Sequence, residues 1–492
     1  MSTLTIYQNG ASRQLEFTPP QPLDALLQQA QCQLPHPCGG RGQCRKCAVE
    51  LHGEVSEPSA QERLSGLRLS CQTVVLGDAA VTLPGTESEL QIETGGHVCV
   101  SGGTPMAGTL GLSVDIGTTT LAARLYDLRS GSLLAACSAL NPQTSVAADV
   151  MGRIDAALHG HLPLLQQQIL CAVDALLQDA CRAAGRLPSE VDVLLPTGNT
   201  TMLYLLTGHE PSSLARAPFL ADTLFGTQTV LLGRRAYLPL CMNAFVGADI
   251  TCAVLASRMC MQSETALLCD IGTNGEIALW HNGTLYVTST AAGPAFEGAG
   301  ISCGCGSVSG AIDRVHIELG QLCIHTIADA PPIGICGSGL IDAVAALLSL
   351  DEISPAGSIA PDGIPLSGSV RLLPADIRAV QLAKAAIAAG IALLLHHAQI
   401  DVDAVSRLYV AGGFGSHLNL QSAAAIGLLP QALVPRAVVL GNAALAGASA
   451  LLLDRKLLAD TQMIVRCSQH VPLAGDPLFN DTYIENMLFG DV

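Results

Sequence analysis

Four cysteines, Cys38, Cys44, Cys47 and Cys71, are spaced C-x5-C-x2-C-x23-C, with glycines and basic side chains among the first three. Four thiolates that can converge bind a soft metal, as one zinc ion or as an iron–sulfur cluster. Two aspartates head a second kind of motif, Asp115 in "VDIGTTT" and Asp270 in "CDIGTNGEIAL". In each, an apolar strand runs into Asp-Ile-Gly-Thr and then into an alternating strand. A tight turn there exposes successive backbone N–H groups, which is an anion-binding geometry. Gly117, Thr118, Thr119 and Thr120 belong to the first turn, and Gly272, Thr273 and Asn274 to the second. Their hydroxyl and amide groups add donors. An aspartate repels phosphate, but it can hold Mg²⁺ through water or orient an attacking water. Two such turns facing one another across a cleft would clamp the β- and γ-phosphates of a nucleotide.

The cysteine spacing favours the cluster. Plant-type [2Fe–2S] ferredoxins use C-x4-C-x2-C and a distant fourth cysteine. The first gap here is one residue longer, as in adrenodoxin-type ferredoxins. A [2Fe–2S] rhomb needs a loop that wraps it and points N–H groups at its sulfurs. Gly39, Gly40 and Gly42 permit such a loop, and Arg41, Arg45 and Lys46 help to set the potential. The alternative is a four-cysteine structural zinc site, but zinc ribbons offer two C-x-x-C knuckles and Cys71 has no partner at that spacing. Most of the 18 cysteines, such as Cys171, Cys181 and Cys252, sit singly in apolar segments and read as small buried hydrophobes.

The elements that must position these residues can be read in outline. A hairpin at Asn9-Gly10, a helix over "PLDALLQQA" and strands in "KCAVELHG" and "LRLSCQTVV" suit a small α+β β-grasp domain over residues 1–90. Residues 91–110 are rich in Gly, Ser and Thr and read as a flexible linker. The two Asp-Ile-Gly-Thr segments, Leu110 to Leu134 and Thr265 to Val287, repeat one unit. They predict an α/β domain of two similar lobes, about 111–262 and 263–492. "GICGSGLIDAVAALL" is a Gly-rich helix start, and "RLYVAGGFGSHLN" is a strand running into Gly412 and Gly413. "FVGADITCAVLA" and "LGNAALAGASALLL" read as small-residue helices that let the lobes pack closely, with Asp249 and Asn442 as candidates for facing the site. The net charge of −17 argues against a nucleic-acid partner. No secretory signal opens the sequence, and the apolar run Ala385 to Leu395 is too short to span a bilayer, so no membrane is expected and the cytoplasm is.

This set of motifs resembles the ASKHA superfamily of sugar kinases, chaperones and actin, in the order phosphate 1, connect 1, phosphate 2, adenosine, connect 2. More narrowly, the chain is similar to the reductive activators of corrinoid-dependent enzymes, which join a [2Fe–2S] domain to an ASKHA ATPase. The similarity rests on "CGGRGQCRKC", "VDIGTTT", "TGNTTMLYLLTG", "CDIGTNGEIAL", "AAGPAFEGAGISCG", "ICGSGLID", "VAGGFGSHLN" and "LGNAALAGA". Larger members carry a further middle domain, where this chain has roughly twenty linker residues. The resemblance implies an ATP-dependent activator that returns a Co(II) corrinoid to Co(I) with one electron from its cluster. It implies Cys38, Cys44, Cys47 and Cys71 as cluster ligands, and Asp115 and Asp270 as organisers of Mg²⁺ and water. It places Gly117, Thr118, Thr119, Gly272, Thr273 and Asn274 on phosphates and Gly412 and Gly413 against adenosine. The partners it implies are a corrinoid protein of a methyltransferase system and a reductase or other low-potential donor, with a homodimer as a further expectation. The loop 297–311 is a candidate partner-facing segment. Its Cys303 and Cys305 read either as small turn residues or as a second metal site. Two other readings stay open: a small-metabolite kinase with a fused redox sensor, and a nucleotide-dependent redox chaperone.

Overall fold

A computed structural model describes the chain apart from residues 9–10, 31, 33, 35–41, 43–46, 60–61, 64–66, 84–93, 97, 99–102, 413–417 and 491–492. The chain divides into two units, residues 1–89 with 142–156 and residues 90–141 with 157–492.

In the first unit, strands β1 (Ser2–Gln8), β2 (Ala11–Phe17), β3 (Gln21–Pro22), β4 (Ala48–Val55), β5 (Arg68–Leu69) and β6 (Val74–Thr82) form one mixed sheet in the order β2-β1-β6-β4-β5, with β3 on β6. Alternation decides the buried face. Leu4 and Ile6 of β1 and Val75, Ala79 and Val81 of β6 point inward. The helix Leu23–Gln29 follows Pro22 and buries Leu23, Leu26 and Leu27 at helical spacing. These residues share one apolar core. This is the expected β-grasp plan. The β1–β2 register pairs Gln8 with Ala11, and the predicted turn residues Asn9 and Gly10 lie outside the described residues.

The second unit contains the duplication. Strands β7 (Leu110–Ile116), β8 (Thr120–Asp127), β9 (Leu133–Leu140), β10 (Val191–Gly198), β11 (Phe225–Leu231) and β12 (Arg234–Leu240) form a sheet ordered β11-β12-β10-β7-β8-β9. Strands β13 (Ala266–Ile271), β14 (Gly275–His281) and β15 (Thr284–Thr290) open the second repeat. Smaller hairpins follow, made by β16 (Ala311–Glu318) with β17 (Gln321–Thr326) and by β19 (Ile364–Ser367) with β20 (Val370–Leu372), while the short β18 (Gly334–Ile335) pairs with β16. Strands β21 (Arg407–Ala411), β22 (Ala437–Gly441) and β23 (Ser468–His470) complete the second sheet, ordered β22-β21-β13-β14-β15-β23. In both sheets an antiparallel meander is flanked by a strand parallel to its first member, β10 on β7 and β21 on β13. The repeat legible in two short motifs thus extends over whole sheets.

Two apolar helices, Ala248–Ser257 and Ala443–Leu453, fill the core between the sheets, with side chains from both repeats around them. Every residue of the second helix is buried. A Cβ on Gly447 would lie 1.9 Å from the carbonyl oxygen of Cys252, so only glycine allows this approach. A third helix, Pro374–His397, is 24 residues long and, by length and composition, apolar enough to cross a membrane, whereas the sequence suggested a shorter run. In this fold 78% of its apolar window is buried, in the core of the second repeat.

The segment read as a linker is tied down where it is described. Arg124, which is buried, donates to the carbonyls of Thr94 and Gly96. Asn442 N–H donates to the Gly95 carbonyl at 3.0 Å, and Met106 N–H to that of Leu452 at 3.0 Å. Thr109 N–H donates to Asp192 at 2.5 Å.

Candidate functional site: a cysteine pair and a two-turn cleft

The first unit brings two of the four cysteines together. Cys47 directly precedes β4, and Cys71 lies in the 3-10 turn Ser70–Gln72 after β5. Pairing of Ala48 with Leu69 draws the two strand ends together, and Ser70 N–H donates to the Cys47 carbonyl at 3.0 Å. The sulfurs are 3.3 Å apart. Two thiolates on one tetrahedral metal, each at about 2.3 Å, lie about 3.7 Å apart, so this pair can share an iron with little movement. Burial and the adjacent Cys47 push the Cys71 thiol well above its ordinary range, and a bound metal ion would reverse that. Gly42 adopts φ +72°, with Gln72 and Leu69 close to the position a Cβ would take. Cys38 and Cys44 lie outside the described residues.

In the second unit each aspartate ends the first strand of its sheet. Asp115 sits near the end of β7 and accepts a hydrogen bond from Asn442 Nδ2 at 2.8 Å. Asn442 in turn caps the helix Ala443–Leu453 by accepting from Leu445 N–H at 2.8 Å. Asp270 sits near the end of β13, and its Oδ1 would be 2.7 Å from a Cβ on Gly412, whose φ is +103°. Gly412 therefore leaves room for the carboxylate. Gly413 lies outside the described residues. Burial raises Asp115 to about 6, against the Asn442 bond, and burial with the nearby Asp115 raises Asp270 to about 7. Burial first, and then the neighbouring carboxylates, raise Asp249, near the start of the helix Ala248–Ser257, and Glu276 on β14. Four neighbouring carboxyl groups held toward neutrality chiefly by burial are what a divalent cation would ionise and organise. The donor set fits Mg²⁺.

The two turns face each other. Thr119 Oγ1 and Thr273 Oγ1 are 3.2 Å apart. Both donate to the Glu297 carboxylate, Thr119 at 2.5 Å and Thr273 at 2.9 Å. Gly117 has no room for a side chain, since a Cβ would meet the Thr120 carbonyl at 2.7 Å. Asn141 braces the same turn, its N–H donating to the Thr119 carbonyl and its Nδ2 to that of Gly117, each at 2.8 Å. Thr118 accepts from Asn199 Nδ2 at 3.3 Å. Gly272 N–H donates to the Asn274 carbonyl at 3.1 Å, closing the second turn. Hydroxyls that now hold a carboxylate could equally hold a phosphate. Sequence reasoning missed Asn141, Glu276 and Glu297 as site residues. Glu297 lay inside the quoted motif "AAGPAFEGAGISCG", but its target is 178 residues away. Cys303 and Cys305 are partly buried beside β18, and neither belongs to a group of three metal ligands among the described residues.

Three known families match parts of the chain. A 2Fe-2S iron-sulfur cluster binding domain family matches residues 6–76. The RACo middle region matches residues 110–262, and the C-terminal ASKHA domain of RACo matches residues 264–491. The part that family calls its middle region is therefore present here, as the first repeat. The chain is 34% identical over 420 residues to the corrinoid activation enzyme RamQ of Eubacterium limosum, covering 77% of this chain and 70% of that protein. It is 24% identical over 416 residues to the [Co(II) methylated amine-specific corrinoid protein] reductase of Methanosarcina barkeri, covering 76% of each. A solved structure of a reductive activator for a corrinoid, iron–sulfur protein superposes with a TM-score of 0.72 at 26% identity, covering 99% of this chain and 98% of that one. With its cysteine pair in a β-grasp unit and its duplicated Asp-Ile-Gly-Thr cleft, the chain belongs to the family of reductive activators of corrinoid proteins.

Proposed function

We propose that this protein is an ATP-hydrolysing activator that reduces the Co(II) corrinoid of a methyltransferase-system protein to Co(I). Cys38, Cys44, Cys47 and Cys71 would hold a [2Fe–2S] cluster, which would supply the electron. The electron comes to it from a reductase or another low-potential donor. Clusters of this class lie near −400 mV, and each 59 mV uphill costs about 1.4 kcal/mol for one electron. ATP must therefore change what the partner's cobalt experiences.

The observation that carries this reading is the joint built by Thr119, Thr273 and Glu297. The phosphate donors come from two different repeats, so the occupant of the cleft sets how those repeats meet. Asp115 and Asp270 hold Mg²⁺ and orient the attacking water. Gly117, Thr118, Thr119, Gly272, Thr273 and Asn274 receive the phosphates, while Gly412 and Gly413 lie against adenosine. Coupling arises only if the corrinoid protein binds one nucleotide state more tightly than another, and such coupling is reciprocal.

The test uses the cluster-loaded protein and a Co(II) corrinoid protein from the same genome. Affinity for a non-hydrolysable ATP analogue is measured with and without that partner, and partner affinity with and without the same analogue. The two ratios should be equal and differ from one by at least about fivefold, the low end of known couplings. Ratios of one would remove the proposed coupling.

A further inference from the structure

Away from the cysteine cluster and the cleft, the hairpin β16–β17 gathers three metal-ligand types on one face. Its strands pair Ile317 with Leu322, His316 with Cys323 and Glu318 with Gln321. Val315, Leu322 and Ile324 pack on the core of the second repeat, which fixes the inner face. By alternation Arg314, His316, Glu318, Gln321, Cys323 and His325 share the outer face. His316 and Glu318 are exposed and Cys323 is half-buried. Their ligand atoms all lie within 4.8 Å of one another. Cys323 Sγ and Glu318 Oε2 are 3.7 Å apart.

The arrangement is built rather than incidental to floppy side chains. Leu319 and Gly320 form the two-residue tip, with φ of 50° and 79°. Two successive positive φ values give the tight hairpin turn that suits strand twist and fixes register. A slip of one residue would send His316 and Glu318 to the inner face. Two residues apart on one strand, His316 and Glu318 stand side by side, and Cys323 faces His316 directly across the ladder. The neighbouring His325 is engaged elsewhere, its Nδ1 on Asp313 at 2.6 Å. Arg314, on the same outer face, lies 3.9 Å from Asp313.

We propose that His316, Glu318 and Cys323 form a divalent transition-metal site of the zinc class, holding one ion per chain. The donors are an imidazole nitrogen, a carboxylate oxygen and a thiolate sulfur, a mixed set that zinc accepts in tetrahedral geometry. On binding, the Cys323 thiol loses its proton to solvent and the sulfur bonds to the metal. Three protein ligands leave a fourth position open on the outer face. Water fills it in the isolated protein, and a side chain of another protein can replace that water.

The test is made on the cluster-loaded full chain, so that the N-terminal cysteines are already occupied. Zinc uptake is measured by equilibrium dialysis with metal analysis for the wild type, His316→Ala, Cys323→Ser and the double variant. Both substitutions lie on an outer face, and circular dichroism checks that each variant folds. The wild type should bind one zinc ion more than the double variant, with each single variant at least tenfold weaker. Added Co²⁺ should give a thiolate-to-metal absorption band in the difference spectrum that Cys323→Ser lacks. Basal ATP hydrolysis should be unchanged in all variants. Equal zinc uptake by the wild type and the double variant would overturn the proposal, as would a cobalt spectrum unaffected by Cys323→Ser.

Discussion

Replacing Gly447 by alanine adds one methyl group and should disturb both the core and the cleft. The new Cβ would sit 1.9 Å from the Cys252 carbonyl oxygen and 2.4 Å from its carbon, both backbone atoms. Ordinary carbon–oxygen contacts begin near 3.3 Å, so the helices Ala248–Ser257 and Ala443–Leu453 must part by about 1.4 Å. A gap of 0.5–1 Å already forfeits about a quarter to a half of a contact's dispersion energy. Overpacking of this kind costs about 1–3 kcal/mol, and a backbone clash that no rotamer can relieve belongs at the upper end. Unfolding entropy of about 2.1 cal/mol/K per residue, over the roughly 390 residues of the second unit, turns about 3 kcal/mol into a melting shift of about 4 °C. The same displacement moves Asn442, which caps the second helix and bonds Asp115. ATP hydrolysis should therefore fall at least about tenfold, since a 1 Å misplacement can cost about a hundredfold. Thermal melts followed by circular dichroism and a phosphate-release assay read both effects. A variant that melts within about 1 °C of the wild type and hydrolyses ATP normally would refute the packing argument.

Asn442 allows its two duties to be separated. Asn442→Ala should lose about 1 kcal/mol of helix cap along with activity, whereas Asn442→Asp keeps the cap but sets a carboxylate against Asp115 and should be stable and nearly inactive; wild-type activity in both would argue against the Asp115 contact. Glu62 tests the redox unit. Burial alone would raise its pKa, but bonds from Leu69, Ser59 and Arg68 hold it at about 2 against an ordinary 4.5. Because the folded value is the lower one, the stabilisation is complete above 4.5 and is lost as pH falls toward 2. Glu62→Gln should thus cost the first unit about 2–3 kcal/mol at neutral pH, seen as earlier thermal bleaching of the cluster, and an unshifted bleaching midpoint would contradict it. Cys71→Ala should remove the visible cluster absorption and leave ATP affinity within about twofold, because its only described sulfur neighbour is Cys47; retained colour would exclude it as a ligand.

The sequence carried what is local. The Cys47-Cys71 spacing, the two Asp-Ile-Gly-Thr turns and the small-residue helices were each visible as short strings, and the repeat they announced organises both sheets. What stayed hidden depends on distant pairing. Glu297 meets Thr119 across 178 residues, and Glu276 reads as an ordinary polar residue in an alternating strand until β14 pairs with β13. The segment 91–110 was misleading for another reason. Its Gly and Ser content is that of a free linker, yet Thr94, Gly95 and Gly96 are bound through their carbonyls. Backbone carbonyls leave no compositional trace. Helix length was obscured in the same way, since Lys384 interrupts the apolar pattern of Pro374–His397 but is itself buried and bonded to the Leu488 carbonyl.

The central claim is that one chain couples ATP to a one-electron reduction of a corrinoid. It is tested most directly by an anaerobic visible spectrum. The protein, a reductant, Mg-ATP and a Co(II) corrinoid protein from the same genome are mixed, and the Co(I) band is followed. The account predicts Co(I) with ATP and none without it. It also predicts none with Cys44→Ala, which keeps ATP hydrolysis, and none with Asp270→Ala, which keeps the cluster. If Co(I) forms equally without ATP, the claimed coupling is wrong; if it never forms while a small hydroxy or carboxylate compound becomes phosphorylated, the chain is a kinase with an attached redox domain.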